Sequence, residues 1–258
     1  MSGTEFEAAW LSLREPVDHR ARARPLARRF LEACTGDRPI ADLGAGTGSN
    51  ARYLQALSPV PLSWRLIDAD AGLLSRAGSI GAGVETAVMD LARISPQAFD
   101  GVGGVTAAAF LDLVSEDWLR ELAELRARVP ALFALTVDGV VRFDPEDPDD
   151  APVLAGFARD QDRDKGIGLA LGPAAADCAE RLFAGLGYSV ERARSDWVLS
   201  ADDAALLRTY LKGVAAAAAT VADDRVEAWL QRRIAAAASR RLTLTVGHAD
   251  VLAIPPRR

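Results

Sequence analysis

The sequence predicts an α/β fold built around a mostly parallel sheet. From about residue 37 onward, strand-like apolar segments alternate with helical patterns, which implies right-handed βαβ units with helices on both faces of the sheet. A glycine-rich loop follows the first strand, and acidic residues follow the next two strands. The chain has 258 residues, half of them apolar, and suits one large globular domain.

Two helices are predicted before the first strand, within residues 5–34. Their apolar stripes have helical spacing and consist of Phe6, Trp10 and Leu13, followed by Leu26, Phe30 and Leu31. We expect Pro16 to separate the two helices, because proline interrupts a helix interior. The arginines of residues 19–29 are then interpreted as the exposed face of the second helix.

Five strands are predicted in the region that follows, and in chain order they read PIADL, SWRLID, VETAVMD, GVTAAAF and ALFALTVDG. Helical segments separate them, among them SNARYLQAL and DWLRELAELRARV. Because these strands are expected to be parallel, their carboxyl ends meet at one edge of the sheet. Ligands of open α/β sheets bind at that edge.

The regular pattern lapses at about residues 139–172, which we predict to be an inserted loop over the site. Lys165, Gly166, Gly168 and Gly172 favour a mobile lid there, and a solvated surface loop is the alternative. A helix, a sixth strand (YSVERARSDWVLS) and a seventh strand (RLTLTVGHADVLAIP) complete the pattern. Residues 202–240, between the last two strands, are predicted to form an inserted pair of helices.

The first strand leads into the loop Asp42-Leu43-Gly44-Ala45-Gly46-Thr47-Gly48, in which alternate residues are glycine. Glycine lets a ligand approach the backbone closely, and the helix that follows directs its N–H groups at that ligand. A dinucleotide-binding loop has the spacing G-x-G-x-x-G, whereas the third glycine comes one residue early here. An acid at Asp42 favours a positively charged ligand without phosphate.

With this loop the sequence resembles the class I S-adenosylmethionine-dependent methyltransferases, whose first motif is D/E-x-G-x-G-x-G. The resemblance covers residues 37–140 well and the flanks in general plan. It implies a Rossmann-like sheet of seven strands with an antiparallel last strand, a methyltransferase domain in residues 37–258, and N-terminal helices in residues 1–36 over the site. S-adenosylmethionine is the expected cofactor, held by the loop residues Asp42, Gly44, Ala45, Gly46, Thr47 and Gly48.

Acids at the ends of the next two strands extend the resemblance. Asp68 lies about twenty residues beyond the glycine loop, where both Rossmann-like families use an acid to bind ribose hydroxyls. Ala69 follows it, and Asp70 is the alternative ribose ligand or a helix cap. The resemblance implies that Asp90 binds the adenine amino group, with Leu91 against the ring, although an acid there is equally a plain helix cap.

Acidic and basic residues outside the glycine loop are candidates to act on the methyl acceptor or to bind the donor's carboxylate. Asp112 and Asp138 follow the fourth and fifth strands and are candidate catalytic groups, with ordinary turn or cap roles as the alternative. His19, in the N-terminal helices, is a third candidate base. Arg14 and Arg22 lie near it in sequence and are candidates to bind the donor's carboxylate. We interpret His248 as structural, at a bulge or turn of the last hairpin.

The net charge and the absence of certain motifs limit which ligands and partners are expected. The net charge of −6 argues against a nucleic-acid partner, and no apolar run is long enough to span a membrane. Neither HxH nor CxxC occurs, so no metal site is predicted. We therefore expect a cytoplasmic monomer or homodimer that methylates oxygen, nitrogen or carbon of a small molecule.

Three other functions compete with this prediction. A methyltransferase that acts on protein or RNA would share the donor site. An NAD(P)-dependent oxidoreductase would have to tolerate Asp42 and the early third glycine. A non-catalytic S-adenosylmethionine-binding protein would keep the loop without the chemistry.

Overall fold

The computed structural model describes residues 3–34, 36–78, 80–92, 95–125, 128–161, 169–218 and 224–256. Its helices in these ranges are α1 (Gly3–Ala21), α2 (Arg24–Ala33), α3 (Ser49–Leu57), α4 (Ala71–Leu74), α5 (Glu116–Ala123), α6 (Asp150–Gln161), α7 (Ala175–Gly185), α8 (Ala204–Ala218) and α9 (Asp224–Ala238). Its strands are β1 (Ile40–Leu43), β2 (Ser63–Asp68), β3 (Gly83–Val88), β4 (Gly104–Ala108), β5 (Ala131–Asp144), β6 (Ser189–Arg194), β7 (Trp197–Leu199) and β8 (Thr243–Ile254).

These strands form one sheet with the order β3-β2-β1-β4-β5-β8-β6, and β7 also pairs with β8. The pairs from β3 through β5 are parallel, whereas β8 runs antiparallel to β5, β6 and β7. The order reverses at β1, so the carboxyl ends of β1 and β4 flank a crevice. The predicted α/β fold with an antiparallel last strand is confirmed.

The predicted sixth strand is two strands in the structure, so the sheet has eight described strands and not seven. The break falls at Ser195 and Asp196, between β6 and β7. There the Asp196 carboxylate accepts the backbone N–H of His248 (3.0 Å), and Ser195 N donates to the carbonyl of His248 (2.9 Å). A side chain thus takes the place of one ladder hydrogen bond, which bends the strand without freeing it from β8.

The predicted loop at residues 139–172 is largely regular structure. β5 continues to Asp144, because its far half pairs with the first residues of β8 across a bulge after Val137. α6 follows and packs on α8, where Gly156 lies against Ala218. Local sequence does not reveal the long β5, since its partner strand lies a hundred residues further on. Lys165, Gly166 and Gly168 lie outside the described residues, so the lid stays a prediction.

The predicted break at Pro16 is wrong. α1 runs through Pro16 to Ala21, and the chain turns at Arg22 and Ala23. A proline in a helix interior loses one hydrogen bond and crowds the preceding turn, and we attribute the continuity of α1 to its contacts with α3, α4, α8 and β7. Arg22 is also buried and does not lie on the exposed arginine face that the sequence predicts.

Three apolar clusters surround the sheet. One face packs on α5 and α7 through residues such as Phe133 and Phe183, and the other packs on α2 and α3 through residues such as Phe30 and Leu54. The third cluster joins β7 and the far half of β5 to α1, α6, α8 and α9. No helix in the described ranges combines the length and the apolar character needed to cross a bilayer.

Candidate active site

A cavity of about 420 Å³ lies at the carboxyl ends of β1, β2 and β4, beneath α1. We call it the first cavity. Its floor is the loop after β1 together with Asp68 and Ala69. Side chains of α1 form its roof, and Leu73, Leu91, Phe110 and Leu113 complete the wall. The N-terminal helix and the strand ends therefore enclose one space.

The glycines of the loop have a conformational reason to be there. Gly44, Gly46 and Gly48 have φ angles of +62°, +52° and +80°, a region that residues with a side chain rarely adopt. A Cβ on Gly44 would lie 2.6 Å from the ring of Phe110. Gly48 is the N-cap of α3. Gly44 and Gly46 line the first cavity, so the loop presents backbone without side chains at these two positions.

Asp68 fixes the loop from the end of β2. Its Oδ2 accepts the N–H of Gly46 (2.8 Å), and its Oδ1 accepts the N–H of Asp70 (2.9 Å). Asp70 caps α4 by accepting the N–H groups of Gly72 and Leu73. Of the two acids that the sequence offers as ribose ligands, Asp68 lines the first cavity and Asp70 is engaged in the cap.

Asp42 lies behind the loop and does not line the first cavity. It is buried, and its Oδ1 accepts Nδ2 of Asn50 (2.8 Å), which also donates to Oγ1 of Thr106 (3.1 Å). Burial raises the pKa of Asp42 to about 7, although the hydrogen bond from Asn50 opposes this shift. Asp42 therefore supports the loop from beneath. It is not placed to contact a cationic ligand in the first cavity directly, as the sequence suggested.

Arg22 brings a buried positive charge to the first cavity. Its Nη1 donates to Oδ1 of Asn50 (2.7 Å), and its Nε lies 3.3 Å from Oδ2 of Asp250. Its guanidinium stacks over the Tyr53 ring at 4.6 Å. Within the described part of the chain, its Nη2 and the hydroxyl of Thr47 are buried without a hydrogen-bond partner. Both residues belong to the lining of the first cavity.

A second cavity of about 590 Å³ adjoins the first. The two share Trp10, Arg14, Ala109, Leu113 and Leu135 as a common wall. β5, α6, α8, β7 and β8 form most of the remaining walls, and Asp112, Ala170, Gly172 and Pro173 complete them. Two sites of molecular size thus meet at one partition near the end of β4.

Arg14 stands in that partition. It forms a two-pronged ion pair with Asp18 (2.8 and 3.2 Å) and lies over the ring of Trp197 at 4.9 Å. Asp18 also accepts the indole N–H of Trp197 (2.9 Å). The guanidinium is therefore held at the boundary between the cavities by α1 and β7 together.

The three predicted catalytic residues have different positions. His19 lines the first cavity, and its Nε2 lies 3.0 Å from the carbonyl oxygen and 3.1 Å from the hydroxyl of Ser49. Asp112 lines the second cavity. Asp138 lines neither cavity. Its Oδ1 accepts the N–H of Val140 (2.9 Å) at the bulge of β5.

The two residues predicted to contact the adenine also have different positions. Leu91 lines the first cavity and is buried. Asp90 is exposed, is absent from the cavity lining, and accepts the N–H of Ala92 (2.9 Å). This contact is the cap role that the sequence left open for Asp90.

Several site residues were missed at the sequence level. Asn50 connects Asp42 to Arg22, and its signal was a polar residue in the first turn after the loop. Asp250 anchors Arg22, and its signal was an acid in the middle of an apolar strand. Trp197 and Tyr210, in the second cavity, had no signal beyond apolar spacing.

Comparisons with known proteins agree with this architecture. No family model and no curated protein matches the chain. Among solved structures, a candidate type II methyltransferase from Anaeromyxobacter dehalogenans is 16% identical, with 91% of this chain and 98% of that one covered and a TM-score of 0.53. A candidate methyltransferase from an antibiotic biosynthesis pathway of Anabaena variabilis is 17% identical, with 92% and 99% covered and a TM-score of 0.51. At these identities the likeness concerns the fold, which is that of the class I S-adenosylmethionine-dependent methyltransferases.

Proposed function

We propose that the protein transfers a methyl group from S-adenosylmethionine, bound in the first cavity, to a small molecule bound in the second. The observation that carries the proposal is the first cavity itself. It combines the bare glycine loop, the Asp68 carboxylate and the Arg22 guanidinium at the crevice where open α/β sheets bind ligands. The class I fold is consistent with this function.

The polar groups of the first cavity suit the parts of this donor. Asp68 offers carboxylate lone pairs to ribose hydroxyls from a position that two backbone N–H groups fix. We assign the carboxylate of the methionine part to the Arg22 guanidinium, which belongs to the cavity lining and whose buried Nη2 has no partner among the described residues. The buried Leu91 offers an apolar surface to the adenine ring.

The bound donor supplies a methyl group on a positively charged sulfur, which an acceptor displaces in line. The residues of this chain would position the two molecules and exclude water, as α1 does by roofing the first cavity. The acceptor would approach through the partition at Arg14, Leu113 and Leu135, where the two cavities meet.

A small-molecule acceptor is favoured over a macromolecule by the second cavity. A volume of about 590 Å³ is within the range of small-molecule sites, and its walls come from many elements. The acidic net charge of −6 also disfavours an RNA acceptor. Methyl transfer to a protein side chain remains the rival version of the same chemistry.

Ligand-dependent thermal unfolding tests the donor. Saturating S-adenosylhomocysteine at ~100 times its Kd would add about 2.7 kcal/mol to the free energy of unfolding and raise Tm by a few degrees. We expect this shift in the wild type and its loss in Asp68→Ala. Asp70→Ala is the matched control, because it removes a neighbouring acid that does not line the first cavity.

The alternatives give different results in the same assay. A shift with NADH or NADPH and none with S-adenosylhomocysteine would overturn the proposal in favour of an oxidoreductase. Equal shifts in Asp68→Ala and Asp70→Ala would mean that the ligand binds elsewhere. A donor that binds without any methyl transfer to small molecules or to protein would indicate a non-catalytic binding protein.

A further inference from the structure

His248 has a free imidazole nitrogen in the second cavity. It lies within β8 opposite Val137, next to the bulge of β5, and it is buried. Its Nδ1 lies 2.9 Å from the carbonyl oxygen of Val246. A carbonyl only accepts, so Nδ1 carries the proton and Nε2 carries a lone pair when the ring is neutral. No described residue forms a hydrogen bond with Nε2.

The surroundings of this ring keep it neutral. Burial lowers the pKa of His248, and the positive charge of Arg14 lowers it further. The hydrogen bond to Val246 and the carboxylates of Asp18 and Asp138 act in the opposite direction and are outweighed. The ring also packs against Trp197, with centroids 5.4 Å apart. The imidazole is thus a fixed hydrogen-bond acceptor.

Apart from His248 and the charged side chains of Arg14 and Asp112, the second cavity is mostly aromatic and aliphatic. Trp10, Phe157, Trp197 and Tyr210 contribute rings, and Tyr210 packs on Phe157 with centroids 6.4 Å apart. Flat apolar molecules gain most from such walls, since aromatic pairs contribute beyond the area that they bury. A single neutral base among these rings matches an aromatic ligand with one acidic O–H.

We propose that the acceptor is an aromatic compound with a phenol-type hydroxyl and that His248 is the catalytic base for its methylation. This inference rests on the proposed methyl transfer. The hydroxyl proton passes to Nε2 as the oxygen forms its bond to the methyl carbon. The carbon–sulfur bond of the sulfonium breaks, its electron pair stays on sulfur, and S-adenosylhomocysteine leaves with the methyl ether. The imidazolium then returns its proton to water.

Phenols are the chemical class that such a base can serve. A phenolic hydroxyl has a pKa of about 10, as tyrosine does, within reach of an imidazole base. An aliphatic alcohol is far less acidic, and the aromatic walls give it little to bind. His19, the base that the sequence suggested, has its Nε2 at Ser49 and lines only the first cavity.

The first test observes Nε2 directly. The chain contains two histidines, so ¹⁵N imidazole signals in the full-length protein are assigned by the loss of one set in His248→Gln. With S-adenosylhomocysteine present, 2-naphthol should move the Nε2 signal of His248 upfield, as expected for a nitrogen that accepts a hydrogen bond. The ether 2-methoxynaphthalene has the same rings without the O–H and should leave that signal in place.

The second test measures methyl transfer. With labelled S-adenosylmethionine, wild-type protein should convert 2-naphthol to 2-methoxynaphthalene, and His248→Gln should be at least ~100-fold slower, which is the usual contribution of a general base. The affinity of the variant for S-adenosylhomocysteine should stay within about twofold, which also reports correct folding.

Every other outcome overturns the inference. Equal rates in the wild type and His248→Gln would show that His248 is not the catalytic base. An Nε2 signal that moves equally with both probes, or with neither, would show that the hydroxyl does not contact Nε2. A wild-type protein that binds donor and 2-naphthol without forming product would show that the acceptor is not a phenol. If S-adenosylhomocysteine did not bind at all, the proposed function itself would be wrong. If it bound and any of the results above were found, only the assignment of the acceptor and its base would be wrong.

Discussion

The two adjoining cavities are built in different ways. The floor of the first cavity consists of consecutive residues of one loop and the end of the neighbouring strand. Its backbone N–H groups donate to the Asp68 carboxylate and to backbone carbonyls. The second cavity is lined by side chains from α1, the far half of β5, α6, α8, β7 and β8, which are distant in sequence. One is defined by backbone conformation and the other by side-chain packing.

This difference indicates which parts of the molecule should determine specificity for each ligand. The glycine conformations and the Asp68 contacts in the floor of the first cavity lie within one loop and one strand end, so substitutions in other elements should leave them unchanged. The shape of the second cavity, by contrast, depends on side chains from all of the elements that line it. We therefore expect substitutions to separate into those that affect the donor, those that affect the acceptor, and those that affect the partition between them.

The largest effect is expected where one side chain holds both cavities. Asp250 is fully buried and accepts hydrogen bonds from Arg22, from the N–H of Ala23 and from the N–H of Leu135 in the partition. Asp250→Ala would leave the Arg22 charge buried and unpaired, which costs about 3–5 kcal/mol. We expect a corresponding loss of unfolding free energy in urea titrations.

Asp202→Ala is the control for Asp250. Asp202 pairs with Arg240 at 3.0 Å, but both side chains are largely exposed, so the loss should be below about 1 kcal/mol. A loss of similar size in both variants would mean that the buried contacts of Asp250 stabilise the fold no more than an exposed ion pair does.

The next effect tests the backbone character of the first cavity. In Gly44→Ala the new Cβ would meet the Phe110 ring at 2.6 Å, and the residue would remain at φ +62°. We expect the stabilisation by saturating S-adenosylhomocysteine, about 2.7 kcal/mol at ~100 times Kd, to disappear. Thermal unfolding with and without the ligand measures it.

Gly101→Ala separates strain from obstruction. Gly101 has a similar φ of +71°, and a Cβ there would meet no atom within 4 Å. This variant should lose about 1 kcal/mol of unfolding free energy from the left-handed conformation and keep its response to the ligand. A ligand response that survives in Gly44→Ala would show that the bare backbone is not what admits the donor.

The same contrast explains what the sequence could predict. The alternation of strands and helices, the glycine loop and Asp68 follow from local patterns and from spacing within one βαβ unit. Arg22 was a candidate, but its burial depends on Asp250 in β8, more than two hundred residues away. Asp138 failed as a strand-end residue because β5 continues past it to pair with β8, which no local signal marks. The aromatic walls had spacing that core packing explains equally well.

A pH effect tests the support beneath the first cavity. Burial raises the pKa of Asp42 from 3.8 to about 7, so between these pH values the folded protein keeps a proton that the unfolded chain releases. Its contribution to unfolding free energy therefore falls by up to about 1.4 kcal/mol per pH unit as pH rises through this window, and is constant above it.

Asp42→Asn keeps the oxygen that Asn50 contacts and removes the titration. Relative to the wild type, this variant should gain stability steadily as pH rises from about 4 to 7, as measured by urea unfolding at several pH values. A constant difference between the two proteins over that range would show that Asp42 is ionised throughout in the folded state.

The smallest effect should be confined to the second cavity. Phe157→Ala removes one aromatic wall, and a lost contact of about 1.4 kcal/mol would weaken 2-naphthol binding roughly tenfold. The Kd of S-adenosylhomocysteine should change by less than about twofold, because Phe157 does not line the first cavity. Arg159→Ala, on the same helix but outside both cavities, should change neither affinity. Fluorescence titration measures both dissociation constants. If Phe157→Ala weakened the binding of S-adenosylhomocysteine as much as that of 2-naphthol, the two cavities would act as one site. The partition at Arg14 and Leu135 would then be too open to separate them.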